Sequence, residues 1–381
     1  MLYVTDDSTG YNTSEDQIVV AIGTDGSMQI AKGNSRSASA TSVTVRSAAG
    51  GAVSAYVNGR RDPLRLYSGS IRVRVDPKNM RQLVVVNTVP VEDYVAAVVA
   101  TEYGLDDVEG TRAMAVLART YALRSKAGTG DDYDHVDHSI SQVFHGVGTI
   151  DRKSNEAANS TRGEVLVHNG ELIESVYHSS SGGFTANNED VWNGSPVAYL
   201  RGRVDRYEDS PHTDWTVTVD RERLLRVLSN HAQVGVSGLR VGDRSDDGRV
   251  RKLILHTSSG DKEIAANQFR LIFRREFGTS ALKSTLFRVK RKGSQYEFEG
   301  SGFGHGVGLS QWGAHRMALK GKRYDEILRY YYSDVDIVSR EGVGAVNRLT
   351  PREGVDSRKV DDSDSQGEPT KKKLLRRPRG W

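Results

Sequence analysis

One carboxylate in the sequence continues the apolar face of a predicted helix. Residues 89–104 (VPVEDYVAAVVATEYG) have helical periodicity, and their larger apolar side chains share the spacing of one buried face: Val91, Tyr94, Val95, Val98 and Val99. Glu102 lies eleven residues after Val91, which at about 100° per residue places it about 20° from Val91 on that face. Burial disfavours the charged form of a carboxyl group and raises its pKa, as a general acid requires.

A second interpretation of Glu102 is structural. On this interpretation the apolar face ends before Glu102, and the carboxylate reaches water or pairs with an arginine at the helix end. Arg119 is a candidate partner, because it lies in an alanine-rich predicted helix within residues 110–128 and would need a carboxylate, a carbonyl or a ligand when buried. Only the first interpretation involves Glu102 in chemistry.

Glycines occupy every second position from Gly300 to Gly308 in the segment GSGFGHGVGLSQWG, residues 300–313. In an extended chain these glycines would form one bare face, with His305 on the other. A bare backbone admits a ligand such as a sugar, for which Gln311 and Trp312 would supply an amide and an aromatic ring. The alternative is a glycine-rich hairpin or bulge packed tightly under a neighbouring helix.

Histidines outside this segment are weaker candidates. His178 precedes the serines and glycines of SSSGG and is either a site residue or a hydrogen-bonded histidine at a strand end. His135, His138 and His145 lie in an acidic loop, but no carboxylate completes a convincing ligand set. Neither a metal nor another cofactor is therefore expected.

The elements that must position these residues differ along the chain. Residues 17–86 alternate β-branched and polar residues, which predicts short antiparallel strands. Beyond them the pattern mixes helices and strands, with a type I′ hairpin predicted at Asn169-Gly170 and a helix capped by Ser310. The predicted fold class is α+β, with a β-rich N-terminal region at 1–86 and a mixed catalytic core at 87–340 that forms a cleft. The polar, basic tail at 341–381 is interpreted as disordered.

Composition excludes several classes of function. The 381 residues contain no cysteine, which excludes disulfides, thiolate metal sites and a cysteine nucleophile. The net charge of +4 indicates no particular partner, and the basic tail is interpreted as solvated rather than as a specific nucleic-acid site. No apolar run approaches the roughly 20 residues of a membrane span. The opening residues, MLYVTDDSTG, lack the pattern of a signal peptide.

Six motifs in order carry a resemblance to a known family: VPVEDYVAAVVATEYG, AMAVLARTYAL, SQVFHG, YHSSSGGFTANNEDVW, SPHTDW and GSGFGHGVGLSQWGAHRMALKGKRYDEILRYYY. With these motifs, residues 17–337 resemble the stage II sporulation protein D and amidase-enhancer (SpoIID/LytB) family of bacterial cell-wall proteins. The resemblance implies an extracytoplasmic lytic transglycosylase acting on peptidoglycan glycan strands, which in some members have been stripped of peptides by an amidase. The alternative is a non-catalytic peptidoglycan-binding enhancer of an N-acetylmuramoyl-L-alanine amidase.

The resemblance also implies roles for individual residues. The catalytic glutamate of the family matches Glu102, which would act first as acid and then as base. Other positions are implied to line or support the cleft: Arg119, Tyr121, Gln142, His178, Ser180, Gly182, Gly183, Trp192, Gly304, His305, Gly306 and Gln311. Some members hold zinc through a histidine and two cysteines in the segment matching 178–190, and this chain keeps only the histidine. Tyr103 stands where many members have methionine.

Overall fold

The chain forms helices and strands over most of its length in a computed structural model. The structure describes residues 2–6, 11–15, 18–23, 26–32, 35–47, 49–56, 64–124, 133–192, 194–278 and 280–339. The predicted tail at 341–381 lies outside these residues.

Helix α1 begins directly after Pro90, whose fixed φ suits a helix start, and ends at Glu102. Helix α2 buries a row of alanines, which allows the two helices and α3 to pack closely. The helices described are α1 (Val91–Glu102), α2 (Val108–Arg124), α3 (Arg152–Ser160), α4 (Glu189–Trp192), α5 (Arg221–Ala232), α6 (Ala266–Phe277), α7 (Gln311–Leu319) and α8 (Tyr324–Tyr331).

The N-terminal region consists of antiparallel strands, as the alternating pattern predicted. Its sheets have the strand orders β10-β9-β6-β1-β2, β3-β4-β5 and β7-β8. The strands are β1 (Leu2–Asp6), β2 (Tyr11–Glu15), β3 (Ile18–Ile22), β4 (Met28–Lys32), β5 (Ser35–Ala40), β6 (Ser42–Ser47), β7 (Val53–Ala55), β8 (Arg65–Tyr67), β9 (Ser70–Asp76) and β10 (Asn79–Thr88).

The remaining strands form small sheets between the helices. Their orders are β12-β11-β21, β14-β19-β18 and β15-β16-β17, and β13 pairs in parallel with β20. The turn between β11 and β12 has positive φ at Asn169 (51°) and Gly170 (83°), so the predicted type I′ hairpin is confirmed. The strands are β11 (Glu164–His168), β12 (Glu171–Leu172), β13 (Tyr177–His178), β14 (Trp215–Asp220), β15 (Val236–Arg244), β16 (Val250–Thr257), β17 (Gly260–Ala265), β18 (Phe287–Lys292), β19 (Gln295–Gly300), β20 (Leu309–Ser310) and β21 (Asp336–Ser339).

Two hydrophobic cores organise these elements. The main core joins the N-terminal strands to helices α1, α2, α7 and α8, so it extends across the sequence boundary at residue 86. The second core lies within residues 215–298, between two stretches of the chain that belong to the main core, and the periodicity analysis did not distinguish it. The predicted α+β class with a β-rich N-terminal part is confirmed. Among the described residues, no helix has the length and hydropathy needed to cross a bilayer.

Candidate active site

Glu102 is the last residue of α1, and both its main chain and its side chain are held by other segments. Its carbonyl oxygen accepts a hydrogen bond from Gln311 Nε2 at 3.1 Å. Its carboxylate Oε1 accepts the backbone N–H of Val143 at 2.8 Å. Burial raises the pKa of the Glu102 carboxyl, and the Val143 bond opposes part of that rise. The raised pKa predicted from the apolar face is confirmed.

Arg119 does not pair with Glu102, so that prediction was wrong. Its guanidinium forms a two-pronged ion pair with Glu92 at the start of α1, at 3.0 and 2.5 Å. The remaining donors bond the carbonyl oxygens of Ala158 and Glu164. Through these hydrogen bonds Arg119 connects α1 and α2 to α3 and β11. Because its side chain is fully buried, it does not line an open surface.

Two phenols, Tyr94 and Tyr177, lie near the Glu102 carboxylate, and burial together with its charge raises the pKa of both. Tyr121 lies near these two phenols. Tyr94 donates a hydrogen bond to Gln142 Oε1 at 3.1 Å, and Gln142 Nε2 donates to the Tyr177 hydroxyl at 3.2 Å. Burial and the Glu102 charge raise the pKa of Tyr177, and the neighbouring Tyr121 raises it further. The buried Gln142 therefore orients Tyr94 through its amide oxygen and Tyr177 through its amide nitrogen.

His305 lies on the opposite side of Tyr177 in this network. Its Nε2–H donates to the Tyr177 carbonyl oxygen at 2.8 Å, and its Nδ1 accepts the N–H of Val307 at 3.1 Å. Burial and the nearby His178 keep the pKa of His305 well below its usual range, so the ring is neutral. Its ring centroid is 5.0 Å from that of the exposed Trp192. Tyr177 thus connects the surroundings of Glu102 to an exposed indole.

His178 is buried beneath His305, with ring centroids 5.5 Å apart. Its Nδ1–H donates to the Val307 carbonyl oxygen at 3.1 Å. Burial and the charge of Arg249 lower the pKa of His178 to about 3, so it is neutral and offers Nε2 only as an acceptor. A neutral buried imidazole of this kind holds backbone and does not transfer protons near neutral pH.

The glycine segment is not extended, so of the two alternatives the structure supports the packed segment and not the bare face. Gly302, Gly304, Gly306 and Gly308 all have positive φ, between 68° and 116°. The space of each missing side chain is filled by the protein: a Cβ on Gly304 would lie 2.7 Å from His178 Cβ, and one on Gly306 would lie 2.5 Å from Arg249 Cζ. These glycines therefore admit the protein's own side chains rather than a ligand.

Gly182 and Gly183, which follow the three serines of SSSGG, differ in the space beside them. A Cβ on Gly182 would lie 2.8 Å from the backbone of Ser301 and Gly302, so Gly182 is also a packing glycine. Gly183 has φ of 101° and no atom within 4 Å of its missing Cβ. Of the four predicted glycines, Gly183 alone has open space beside it.

Ser180 binds the half-buried carboxylate of Glu208. Its hydroxyl donates to Glu208 Oε1 at 2.6 Å. Glu208 Oε2 accepts from the hydroxyls of Ser181 at 2.8 Å and Ser310 at 3.1 Å. Ser310 is the residue that caps α7, as predicted, and its hydroxyl accepts the N–H of Gly313. Glu208 therefore fixes the start of α7, where Gln311 reaches Glu102.

Comparison with known proteins identifies the family. The family model described as Stage II sporulation protein matches residues 79–168. An uncharacterized protein of Brachyspira hyodysenteriae is 31% identical over 259 residues, which cover 67% of this chain and 68% of that protein. The chain belongs to the stage II sporulation protein D family. The protein of that name from Bacillus subtilis is 29% identical over 273 residues, covering 66% of this chain and 75% of its own length.

Two further matches cover different parts of the chain. The amidase enhancer of Bacillus subtilis is 28% identical over 278 residues, which cover 61% of this chain and only 38% of that protein. A separate model, Domain of unknown function (DUF8618), matches residues 213–308 and so spans the second core. The family match at 79–168 contains Glu102, Gln142 and Val143, while His178, Trp192 and His305 lie outside it.

In this family member the structure gathers some predicted residues and separates others. Glu102, Tyr121 and Gln142 share one network, Gln311 holds the Glu102 carbonyl, and His305 with Trp192 extends the network through Tyr177. Sequence reasoning missed Tyr177 and the Val143 N–H. The motifs YHSSSGG and SQVFHG contained both, but a backbone donor leaves no signature in side-chain type. Within the described residues, no three histidines, aspartates or glutamates cluster as metal ligands.

Proposed function

We propose that this protein is a peptidoglycan lytic transglycosylase with Glu102 as its catalytic acid and base. The observation that carries the proposal is the environment of the Glu102 carboxyl. It is partly buried at a helix end, accepts one backbone N–H, and forms no ion pair with any described lysine or arginine. A raised pKa and the absence of a fixed cation both favour the protonated form of the carboxyl group, which is the form that donates a proton.

The proposed reaction uses this single carboxyl group twice. Glu102 donates its proton to the glycosidic oxygen between N-acetylmuramic acid and N-acetylglucosamine as the bond from that oxygen to the muramyl C1 breaks. The resulting carboxylate takes the proton of the muramyl C6 hydroxyl, whose oxygen forms the new bond to C1. The products are a 1,6-anhydro end and a free hydroxyl end, with no water consumed. Val143 holds Oε1 through its N–H, which leaves Oε2 for the proton transfers.

Digestion of purified glycan strands tests the proposal. Wild-type protein should produce anhydromuramyl ends detectable by mass spectrometry, and Glu102→Gln should lower their rate of formation by about 10²–10⁴-fold. The exposed Glu156, on α3, supplies the matched control, since Glu156→Gln removes a carboxylate that pairs only with Arg152 at the surface. Anhydro ends formed at the wild-type rate by Glu102→Gln would refute the assignment.

The acid role also fixes the direction of the pH dependence. Only the protonated carboxyl can begin the reaction, so activity should fall as pH rises through the pKa of Glu102. Because burial raises that pKa, the fall should occur above the usual range of a glutamate. Loss of activity only on the acidic side, with none on the alkaline side, would contradict the role as first acid.

The second candidate function is a non-catalytic enhancer of a cell-wall amidase, which would also act outside the cytoplasm. The similarity to the amidase enhancer of Bacillus subtilis favours it, as does the exposed Trp192, which suits the apolar face of a sugar. This candidate predicts that Glu102→Gln still retains glycan strands and still stimulates an N-acetylmuramoyl-L-alanine amidase. Strands left intact by wild-type protein would favour it over the transglycosylase.

A further inference from the structure

Three arginines in the described residues are almost completely buried, and they differ in how their charge is balanced. Arg119 is 0% exposed and pairs with Glu92, and Arg249 is 1% exposed and pairs with Asp247 at 3.0 Å. Arg270 is 5% exposed, and no described aspartate or glutamate forms an ion pair with it. Because a buried charge without a partner is strongly destabilising, Arg270 requires an explanation that the other two do not.

The guanidinium of Arg270 is only partly satisfied. Its Nε and Nη2 both donate to Asn267 Oδ1, one turn earlier on α6, at 3.2 and 3.0 Å. Its Nη1 is buried without a hydrogen-bond partner. Burial and the like charges of Arg274 and Arg249 lower its pKa to about 10, so the group is still a cation at neutral pH. One donor and one full positive charge therefore have no partner among the described residues.

Arg270 lies at the Trp192 end of the candidate active site. Helix α6 packs against α4, which ends at Trp192. The indole of Trp192 lies against His305 and is 40% exposed. The pKa of His305 is lowered most by burial, next by His178 and then by the charge of Arg270. Arg270 thus lies on a helix of the second core that packs against the helix of the exposed indole, and its charge acts on the histidine beside that indole.

We propose that Arg270 forms a subsite that binds a carboxylate of the glycan strand beside Trp192. This inference rests on the proposed action on peptidoglycan and names a part of the substrate that the site recognises. Muramyl residues carry a lactyl carboxylate when no peptide is attached, and attached peptides carry carboxylates of their own. The shared chemistry is a carboxylate that can accept Nη1–H and balance the charge. Because Arg270 is 5% exposed, binding involves local movement of the side chains between α4 and α6.

The test measures binding of two forms of the same strands to protein carrying Glu102→Gln, which prevents cleavage. One form has free carboxyl groups, and in the other these groups are converted to neutral methylamides. The parent should bind the free-acid form about tenfold more tightly, as expected for one charged hydrogen bond, and the added substitution Arg270→Met should make the two affinities equal. Peptide-free and peptide-bearing strands, compared in the same way, identify whether the lactyl group or the peptide supplies the carboxylate.

Thermal unfolding separates this role from a structural one. Arg270→Met removes an unbalanced buried charge and replaces it with an apolar side chain, so the Tm should stay equal or rise. Arg119→Met is the matched control, since it leaves the half-buried Glu92 without its arginine partner and should lower the Tm. A lower Tm for Arg270→Met would overturn the proposal, because it would show that the guanidinium stabilises the free protein.

The remaining outcomes also decide the matter. Equal binding of both strand forms by the parent, or discrimination that persists in Arg270→Met, would overturn the subsite. A Tm increase with sodium acetate alone, in the absence of discrimination between strands, would assign Arg270 to a free anion and overturn the glycan assignment. Wild-type protein that cleaves both forms equally, in a Glu102-dependent manner, would reject the Arg270 subsite and leave the proposed transglycosylase activity intact.

Discussion

Substitution of Gly306 by alanine tests whether the glycine segment serves packing or a ligand. Gly306 has φ of 87°, a conformation that costs a residue with a Cβ about 1–3 kcal/mol. The new Cβ would also lie 2.5 Å from Cζ of Arg249. That guanidinium cannot withdraw freely, because its Nη2 donates to the carbonyls of Ser181 at 2.6 Å and Phe184 at 2.9 Å. Loss of one such charged hydrogen bond adds about 1.5–3 kcal/mol, for a total of about 2.5–6 kcal/mol.

Gly183 provides the control for the backbone contribution alone. Its φ is 101°, but no atom lies within 4 Å of the missing Cβ, so Gly183→Ala should cost only about 1–3 kcal/mol. Urea unfolding of both variants measures the difference, and glycan binding is measured on the folded protein. If Gly306→Ala were as stable as Gly183→Ala and bound strands more weakly, the packing explanation would be refuted and a ligand would occupy the space beside Gly306.

Two further predictions concern stability against pH and the support of Glu102. Burial and the Glu208 charge raise the pKa of Asp205 from 3.8 to about 6, so the folded protein keeps a proton that the unfolded chain releases. The free energy of unfolding should therefore fall by up to about 3 kcal/mol as pH rises from 4 to 7. Denaturant titrations at several pH values should show that Asp205→Asn lacks this contribution to the fall. Gln311→Ala removes the 3.1 Å hydrogen bond to the Glu102 carbonyl. Initial rates of anhydro-end formation should fall about tenfold, while the free energy of unfolding changes by about 1 kcal/mol. A wild-type rate would show that the end of α1 is held in place without Gln311.

Local patterns predicted the elements of the site because their causes lie within a few residues. Pro90 precedes α1, the two positive φ angles at Asn169-Gly170 form the hairpin, and Ser310 caps α7. The position of Glu102 on the buried face followed from helical spacing for the same reason. In each case one residue and its neighbours determine the backbone conformation.

Partners that are distant in sequence were not predictable in this way. Arg119 had three carboxylates available on α1, Glu92 and Asp93 at its start and Glu102 at its end, and periodicity does not distinguish them. The structure selects Glu92, since its carboxylate reaches the guanidinium while Glu102 faces Val143. The choice depends on how α2 crosses α1, which is a property of packing rather than of either helix alone.

For the glycine segment the sequence left two alternatives open, a bare face and a packed segment, for a different reason. Residues at every second position lie on one face only when the chain is extended. Glycine adopts other backbone conformations more readily than any other residue, so its spacing is weak evidence for an extended chain. At Gly304 and Gly306 the positive φ removes the alternation, and the absent side chains are explained by His178 and Arg249. Both neighbours are far away in sequence, so the spacing alone did not distinguish a ligand from a packed side chain.

The second core is therefore part of how the site is built, although in sequence it separates Trp192 from His305. Arg249, just before β16, holds the carbonyls of Ser181 and Phe184 and fills the space beside Gly306. Two residues later Arg251 bonds Asp190 on α4 at 2.7 Å. The stretch that carries Trp192 and the stretch that carries His305 are thus both held by arginines of the region that matches the domain of unknown function. A region that only linked the two stretches would not need the buried guanidinium of Arg249 at this contact, since its burial costs desolvation that specific hydrogen bonds must offset.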